Sequence, residues 1–413
     1  MQALPGFRDF LPSDCSRRNY IFGQWRKTAR RYGFMEWDGP VLEATDLYRK
    51  KSGDEIVDQL FHFVDKGERE VALRPELTPT LARVVAAHER EFKKPLKWFS
   101  IGQFFRYEKQ QRGRLREHFQ LNCDIIGEAS LAADVELLAL AIDLLRSFGL
   151  DQADFVVRLS DRQFWTDFLG SQGVTENKWQ QTLEIIDKSE RESPEKTKER
   201  LGDLAAPVFK LLAEGGKSDR LNEVLDGLRA RGLSDYVNVD LRIVRGLAYY
   251  TGIVFEIFDR AGKLRAIAGG GRYDNLVGQL SEGATKLPAL GFAMGDVVLG
   301  ELIGETARAR EQMDATIRDD HPVEIYIVIA KEDRRQNALQ HMQALREHGY
   351  RVDYPLTPTK IPKQFQTAEQ LGARIAVLFG DEWPNVAVKN LVSGEQQLVI
   401  SERLAGHLET ILR

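Results

Sequence analysis

The feature that most constrains this chain is a pair of strand-like stretches, Lys97–Tyr107 and Glu117–Ile126, enclosing the polar, basic, glycine-containing segment KQQRGRLR at 109–116. Both stretches are rich in aromatic and β-branched residues, and a turn-forming interval between two such runs predicts a long antiparallel hairpin with a positively charged tip. Side chains two apart share a sheet face, so Arg106 and Glu108 are expected to point the same way, as are Gln120, Asn122 and Asp124 on the returning strand. Such a floor offers cations to phosphates and carboxylates to ammonium or imidazole groups. A lone Arg106–Glu108 pair would ordinarily be a surface ion pair of little worth. Here it has company: Arg74-Pro75-Glu76, with Thr78 two residues on, and Arg245-Gly246 followed by Tyr249-Tyr250 place further charge in otherwise apolar segments. Charge in that setting is expected only when paired or bound to ligand.

At 413 residues the chain is long enough for two or three domains with real cores. Hydrophobic residues at 43% and charged residues at 29% exclude a disordered chain. No stretch approaches the ~20 apolar residues of a membrane span. The start, MQALPGFRDFLPSD, lacks the basic and apolar regions of a signal peptide, so a cytoplasmic protein with no membrane partner is expected. Two cysteines, Cys15 and Cys123, neither in a CxxC pair, argue against a disulfide framework or a metal held by the protein, and read as small buried fillers. The net charge of −4, from 58 basic and 62 acidic residues, excludes a chain coated in positive charge. A polyanion has to be met locally, and residues 93–116 carry eight basic residues against the single acid Glu108.

Texture divides the chain. Helix and strand signals mix over 1–160 and 236–304, beginning with a helix at Ser16–Tyr32 stopped by Gly33. Between them, 161–235 is helical, and its run DKSERESPEKTKER at 187–200 predicts a solvated helix pair. Strand character returns over Val237–Phe258. The cluster AGGGRYD at 268–274 reads as a tight strand-to-helix turn; it has neither the Walker A nor the GxGxxG spacing that a phosphate loop would need. Residues 305–322 are polar, charged and proline-terminated, as a linker would be, and from 323 to 413 strands alternate with helices, predicting a small α/β domain with a largely parallel sheet.

The motifs LPGFRDFLP at 4–12, LRPELTPTLAR at 73–83, FRYEKQQRGRLREHFQLNCDIIGE at 105–128, RGLAYYTGIVFE at 245–256, AGGGRYDNLVGQL at 268–280 and ALGFAMG at 289–295 stand in the order found in histidyl-tRNA synthetases, which the chain resembles over nearly its whole length. FQTAEQLGARIAVLFGDEW at 365–383 and VAVKNLVSGEQ at 386–396 resemble the anticodon-binding domain of that family. The resemblance implies an α+β protein. A class II antiparallel-sheet catalytic domain would span 1–160 and 236–304, with a helical insertion at 161–235, a linker at 305–322 and a C-terminal α/β anticodon-binding domain at 323–413. It implies ATP-dependent activation of L-histidine to histidyl-adenylate and transfer to tRNA(His), with release of AMP and diphosphate. Mg²⁺ would ride on the phosphates, and Pro40 would lie in the element that makes a homodimer.

Residue by residue, the resemblance makes Arg106 and Arg245 the catalytic arginines. ATP would be held by Arg106, Glu108, Arg114, His118 and Arg245; histidine by Glu76, Thr78, Gln120, Asp124, Tyr250 and Tyr273. Gln111 and Arg116 would meet the tRNA acceptor end, and the insertion would clasp the acceptor arm. Two departures stand out. The order His118-Phe119-Gln120 leaves either ring able to stack on adenine, and after GFAMG the position where the family has an arginine for the γ-phosphate is Val298. Arg114 is expected to cover the leaving diphosphate instead, with Arg112 or a further Mg²⁺ bound with help from Asp296 as alternatives. The competing reading is a non-catalytic, histidine-sensing paralogue resembling the regulatory subunit of ATP phosphoribosyltransferase. The C-terminal domain and the retained Arg106, Glu108 and Arg245 speak against it.

Overall fold

The computed structural model describes residues 3–52, 54–107, 113–216, 218–245, 249–319 and 323–412. They divide into two compact units, the boundary falling between Met313 and Asp314. Among the described residues no helix is long and apolar enough to cross a membrane.

The first unit contains β1 (Met35–Glu36), β2 (Leu42–Ala44), β3 (His62–Val64), β4 (Glu70–Leu73), β5 (Leu96–Phe105), β6 (Glu117–Ile126), β7 (Phe155–Asp161), β8 (Val237–Val239), β9 (Ile253–Asp259), β10 (Ala268–Arg272) and β11 (Ala289–Gly295). Eight of these form one sheet in the order β1-β5-β6-β11-β10-β9-β7-β8, and β2, β4 and β3 make a small separate sheet. Its six inner strands, β5 through β7 in that order, are antiparallel, while edge strands β1 and β8 run parallel to their neighbours. The expected hairpin is the β5–β6 pair, in register from Leu96↔Ile126 to Phe105↔Glu117. Its pleat sorts the side chains: Leu121, Cys123 and Ile125 are buried on one face, leaving Gln120, Asn122 and Asp124 on the other. The apolar helix Leu131–Arg146, almost wholly buried, packs against β6 and β11. Pro12 opens the first long helix and Gly33, at φ 76°, follows its end.

Parallel strands need a long crossover, and β7 and β8 obtain theirs from the helices Arg162–Ser171, Glu176–Lys188, Pro194–Leu201, Ala205–Glu214 and Asp219–Ala230. The strand run expected over Val237–Phe258 is two strands, β8 and β9, and the described residues between them lie outside any strand. They include Arg245, a residue with φ 48° that no regular strand accommodates. The segment expected to be a linker is instead helical over Ala307–Asp319. Ala309 and Met313, four apart, form a buried stripe, Gln312 Nε2 donates to Ser147 O at 2.9 Å, and Arg308 pairs with Asp151 at 2.7 Å. Its polarity reflects one exposed face and not a lack of structure.

The second unit has β12 (Ile325–Ile329), β13 (Val352–Asp353), β14 (Ile375–Phe379), β15 (Asn385–Asn390) and β16 (Gln396–Ile400) in the order β13-β12-β14-β15-β16. The first three are parallel and joined by helices Arg335–Glu347 and Ile361–Gln370; β15 and β16, turning through Ser393 and Gly394, add an antiparallel hairpin, so the sheet is mixed. Apolar clusters built around Ile327, Val377 and Leu408 on one face and Tyr326, Val328 and Ala376 on the other bury it from both sides.

Candidate active site

The sheet register builds a trough. On β6, His118, Gln120, Asn122 and Asp124 stand in a row; across β11 the last three face Gly295, Ala293 and Gly291, and β10 continues with Gly269 and Gly271 before β9 raises Glu256 on the far side. Two central strands with nothing larger than a methyl on this face make the floor. The glycines are required there: a Cβ on Gly291 would lie 1.9 Å from Asp124 Oδ1, and one on Gly269 would lie 1.8 Å from Arg245 Nη1. The AGGGRYD cluster is thus a strand over Ala268–Arg272 and not the turn its composition predicts. Above the floor is a cavity of about 680 Å³ lined by Arg106, Arg114, His118, Gln120, Arg245 and Glu256, among others. That volume is within the range of small-molecule sites.

At the cationic end, Arg106 follows the last residue of β5; its backbone N–H donates to Arg116 O at 2.9 Å and its Nε to Pro75 O at 3.1 Å. Arg245 Nη1 donates to Glu256 Oε1 at 2.9 Å, while its Nε is buried without a hydrogen-bond partner among the described residues. The left-handed backbone at Arg245 is held by Arg162, whose Nη1 donates to Arg245 O at 2.9 Å and to Val244 O at 3.1 Å. Burial, with the nearby Arg106 charge, pushes His118 down to about 3, so its ring is neutral. Phe119 points the other way, with ring centroids 5.8 Å from Phe10 and 5.2 Å from Phe22, and its N–H donates to Asp296 Oδ1 at 2.8 Å. Of the two rings left open by the sequence, His118 is the one on the cavity.

The other end is built to read polarity. Asp124, 4% exposed, accepts a hydrogen bond from Tyr273 Oη. Burial lifts its carboxyl to about 7 despite that bond. Tyr250 and Tyr273 belong to one buried cluster with Leu81, Val85 and Trp98, and the ring of Tyr249 stands 4.5 Å from Tyr250 and 6.1 Å from Tyr273. Glu76 is half-buried and acts electrostatically on the Tyr249 phenol, which burial raises first; Thr78 opens the helix Thr78–Ala87. Gln120 Oε1 and Asn122 Oδ1 are buried acceptors with no partner among the described residues. Orphaned acceptors beside a carboxylate suit a ligand that carries an ammonium group.

Comparison with known proteins decides the family. The histidyl-tRNA synthetase family profile matches residues 6–296, and an anticodon binding domain profile matches residues 324–410. A histidine–tRNA ligase of Opitutus terrae is 46% identical over 416 residues, covering 95% of this chain and 92% of that protein. A chloroplastic/mitochondrial histidine–tRNA ligase of Arabidopsis thaliana is 39% identical, covering 95% and 83%. The crystal structure of histidyl-tRNA synthetase from Nostoc sp. PCC 7120 superposes with a TM-score of 0.77 at 25% identity, covering 99% of each chain. This chain belongs to the histidyl-tRNA synthetase family.

Set beside that family, Glu108, Gln111 and Arg112 lie outside the described residues. Arg114 lines the cavity; Arg116 does not, its guanidinium lying 4.4 Å over the Tyr107 ring. Val298, at the position where the sequence resemblance implies an arginine, is buried on the cavity wall. Asp296 does not stand ready for a metal ion: Arg8 Nη1 donates to its Oδ2 at 2.8 Å, and its other oxygen takes the Phe119 N–H. That clasp, closed by Arg8 on Glu117, is what the LPGFRDFLP motif contributes. Arg74 is likewise structural, buried with Nη1 on Asp38 at 2.7 Å and Nε on Gln103 O at 3.0 Å. Two cavity residues went unread in the sequence, and Tyr249 was read there without a role of its own. Tyr249 is the bridging ring; Arg191, from the run expected to be merely solvated, lines the cavity; and so does Arg265, which precedes the glycine strand and belongs to no motif.

Proposed function

We propose that this synthetase-family chain activates L-histidine with ATP and charges tRNA(His). A histidine carboxylate oxygen attacks the α-phosphorus, the bond to the diphosphate breaks, and histidyl-adenylate remains. A terminal ribose hydroxyl of the tRNA then attacks the carbonyl carbon and AMP leaves. The first transition state gains negative charge at pentavalent phosphorus. Arg106 and Arg245 supply fixed guanidinium groups to it, without a covalent protein nucleophile. Arg245 lines the cavity and its buried Nε has no hydrogen-bond partner among the described residues, which supports that reading. Neutral His118 offers adenine a flat ring carrying no charge, and Arg114 and Glu108 complete the nucleotide contacts. Mg²⁺ enters with ATP, on its phosphates, as part of the substrate.

Specificity rests on the observation that carries the assignment, the buried Asp124–Tyr273 pair at the end of the trough. Imidazole N–H completes that pair, with Tyr250 beside it, while the α-ammonium meets Glu76, Thr78 and Gln120. An apolar isostere leaves the pair unsatisfied, a loss of about 1–3 kcal/mol per group. Gln111 and Arg116 on the basic hairpin take the acceptor end, the insertion at 161–235 clasps the arm, and the second unit takes the anticodon. Exposed Met35, Val41, Leu42, Phe63 and Val64 near Pro40 supply the apolar surface for a homodimer, and the chain works in the cytoplasm. Both catalytic arginines and the anticodon binding domain disfavour the sensing paralogue. Charging of a tRNA(His) transcript with labelled histidine, dependent on ATP, is the test; histidine binding with no charging would sustain the paralogue.

A further inference from the structure

Arg265 sits beside the gap that Val298 leaves. The two residues meet the hairpin at one point. A Cβ built on Gly113 would have Val298 Cγ2 at 3.3 Å and Arg265 Cδ at 3.6 Å, so the arginine stem and the valine methyl flank the same glycine of the basic segment. Both also line the cavity that holds Arg106, Arg114 and Arg245. The loop carrying Arg265 is fixed from below. Buried Asp259 accepts the N–H groups of Lys263 and Leu264, each at 2.9 Å, and Ile267 N–H donates to Ile257 O at 2.8 Å, which registers the chain as it enters β10. An arginine on a loop so anchored is presented to the cavity at a defined place, at the end remote from Asp124.

We infer that Arg265 replaces the absent last-motif arginine as the cation on the outer phosphates of ATP, so that the guanidinium reaches the same region from the strand-entry loop instead of the helix Asp296–Glu305. The inference rests on the proposed function, since it needs ATP in this cavity. Arg191 lines the same cavity from the turn between two crossover helices, whereas Arg265 and Val298 flank the same Gly113, which favours Arg265. The side chain lies at an exposed loop position, so its removal leaves the core intact. Loss of a charge-assisted contact to phosphate then raises the ATP KM about tenfold to a hundredfold.

The test is histidine-dependent exchange of diphosphate into ATP by the full chain and by Arg265→Ala, together with binding of a non-hydrolysable histidyl-adenylate analogue, which has no β- or γ-phosphate. The expected result is a raised ATP KM, an unchanged histidine KM and unchanged analogue affinity. Arg265→Ala with wild-type ATP KM overturns the inference, and so does an equal loss for ATP and the analogue, which means that Arg265 shapes the pocket instead. A wild-type chain with no histidine-dependent exchange overturns the proposed function itself and the inference with it.

Discussion

Asp124→Asn removes a charge and almost no volume from the buried end of the trough. It keeps an acceptor for the Tyr273 hydroxyl. In the free protein burial holds the Asp124 carboxyl at about 7, up from 3.8, with the Tyr273 bond pulling the other way. An acid whose folded pKa lies above its unfolded one binds its proton more tightly when folded. Its contribution to stability is therefore complete below 3.8 and lost as pH rises toward about 7. At about 1.4 kcal/mol for each unit, ionising Asp124 costs the ligand-free fold on the order of 4 kcal/mol. The variant cannot ionise, so its Tm should exceed that of the wild type by several degrees near about pH 8, the margin shrinking as pH falls to about 5. Histidine should reverse the order, because saturating ligand stabilises only the protein that binds it. Calorimetric Tm values for both proteins across that pH range, with and without histidine, read this directly. Taking the difference between the two removes every other titrating group. Identical pH profiles, or a variant less stable than wild type in mildly alkaline buffer without histidine, would refute the account of Asp124 as a strained recognition group.

Gly269→Ala should fold normally and lose activity. The new methyl displaces the guanidinium end of Arg245 and touches Glu256 Cγ at 3.3 Å, so exchange falls about a hundredfold while calorimetric histidine binding persists; undiminished exchange would show that Arg245 is not held over the floor. Arg162→Met should lower the exchange kcat with little change in either KM, because it releases the two carbonyls that fix the Arg245 backbone; a pure KM effect would count against a positioning role. Arg116→Ala and Gln111→Ala should depress tRNA charging and spare exchange, and a matched fall in both assays would mean that the hairpin organises the adenylation site.

The hairpin was legible because two long β-rich runs around a basic turn leave little choice of pairing, and the alternation on β6 then delivers His118, Gln120, Asn122 and Asp124 to one face. The glycine strand was not. Local composition makes GGG a turn, and only its neighbours explain it: Gly269 of β10 and Gly291 of β11 carry no side chain because Arg245 and Asp124 lie over them. Similarly, the sequence permitted either His118 or Phe119 to face the nucleotide, and the choice was made by Phe10, just before the first helix, and Phe22 within it claiming Phe119. The helix over Ala307–Asp319 was not legible because a helix with a two-residue buried stripe has the composition of a linker. Arg191 and Arg265 carry no local mark at all; each is an arginine in a polar loop until the fold turns it toward the cavity. Arg8 shows the converse, a residue within a recognisable motif whose observed contacts are a structural clasp on Glu117 and Asp296.

Exchange of labelled diphosphate into ATP, measured with each amino acid in turn, tests the central claim most directly. The account predicts exchange with histidine and only background with the others. The reason is that no other side chain both donates to the Asp124 carboxylate and fits beside Tyr250 and Tyr273. Clear exchange with proline, threonine or glycine and none with histidine would contradict it.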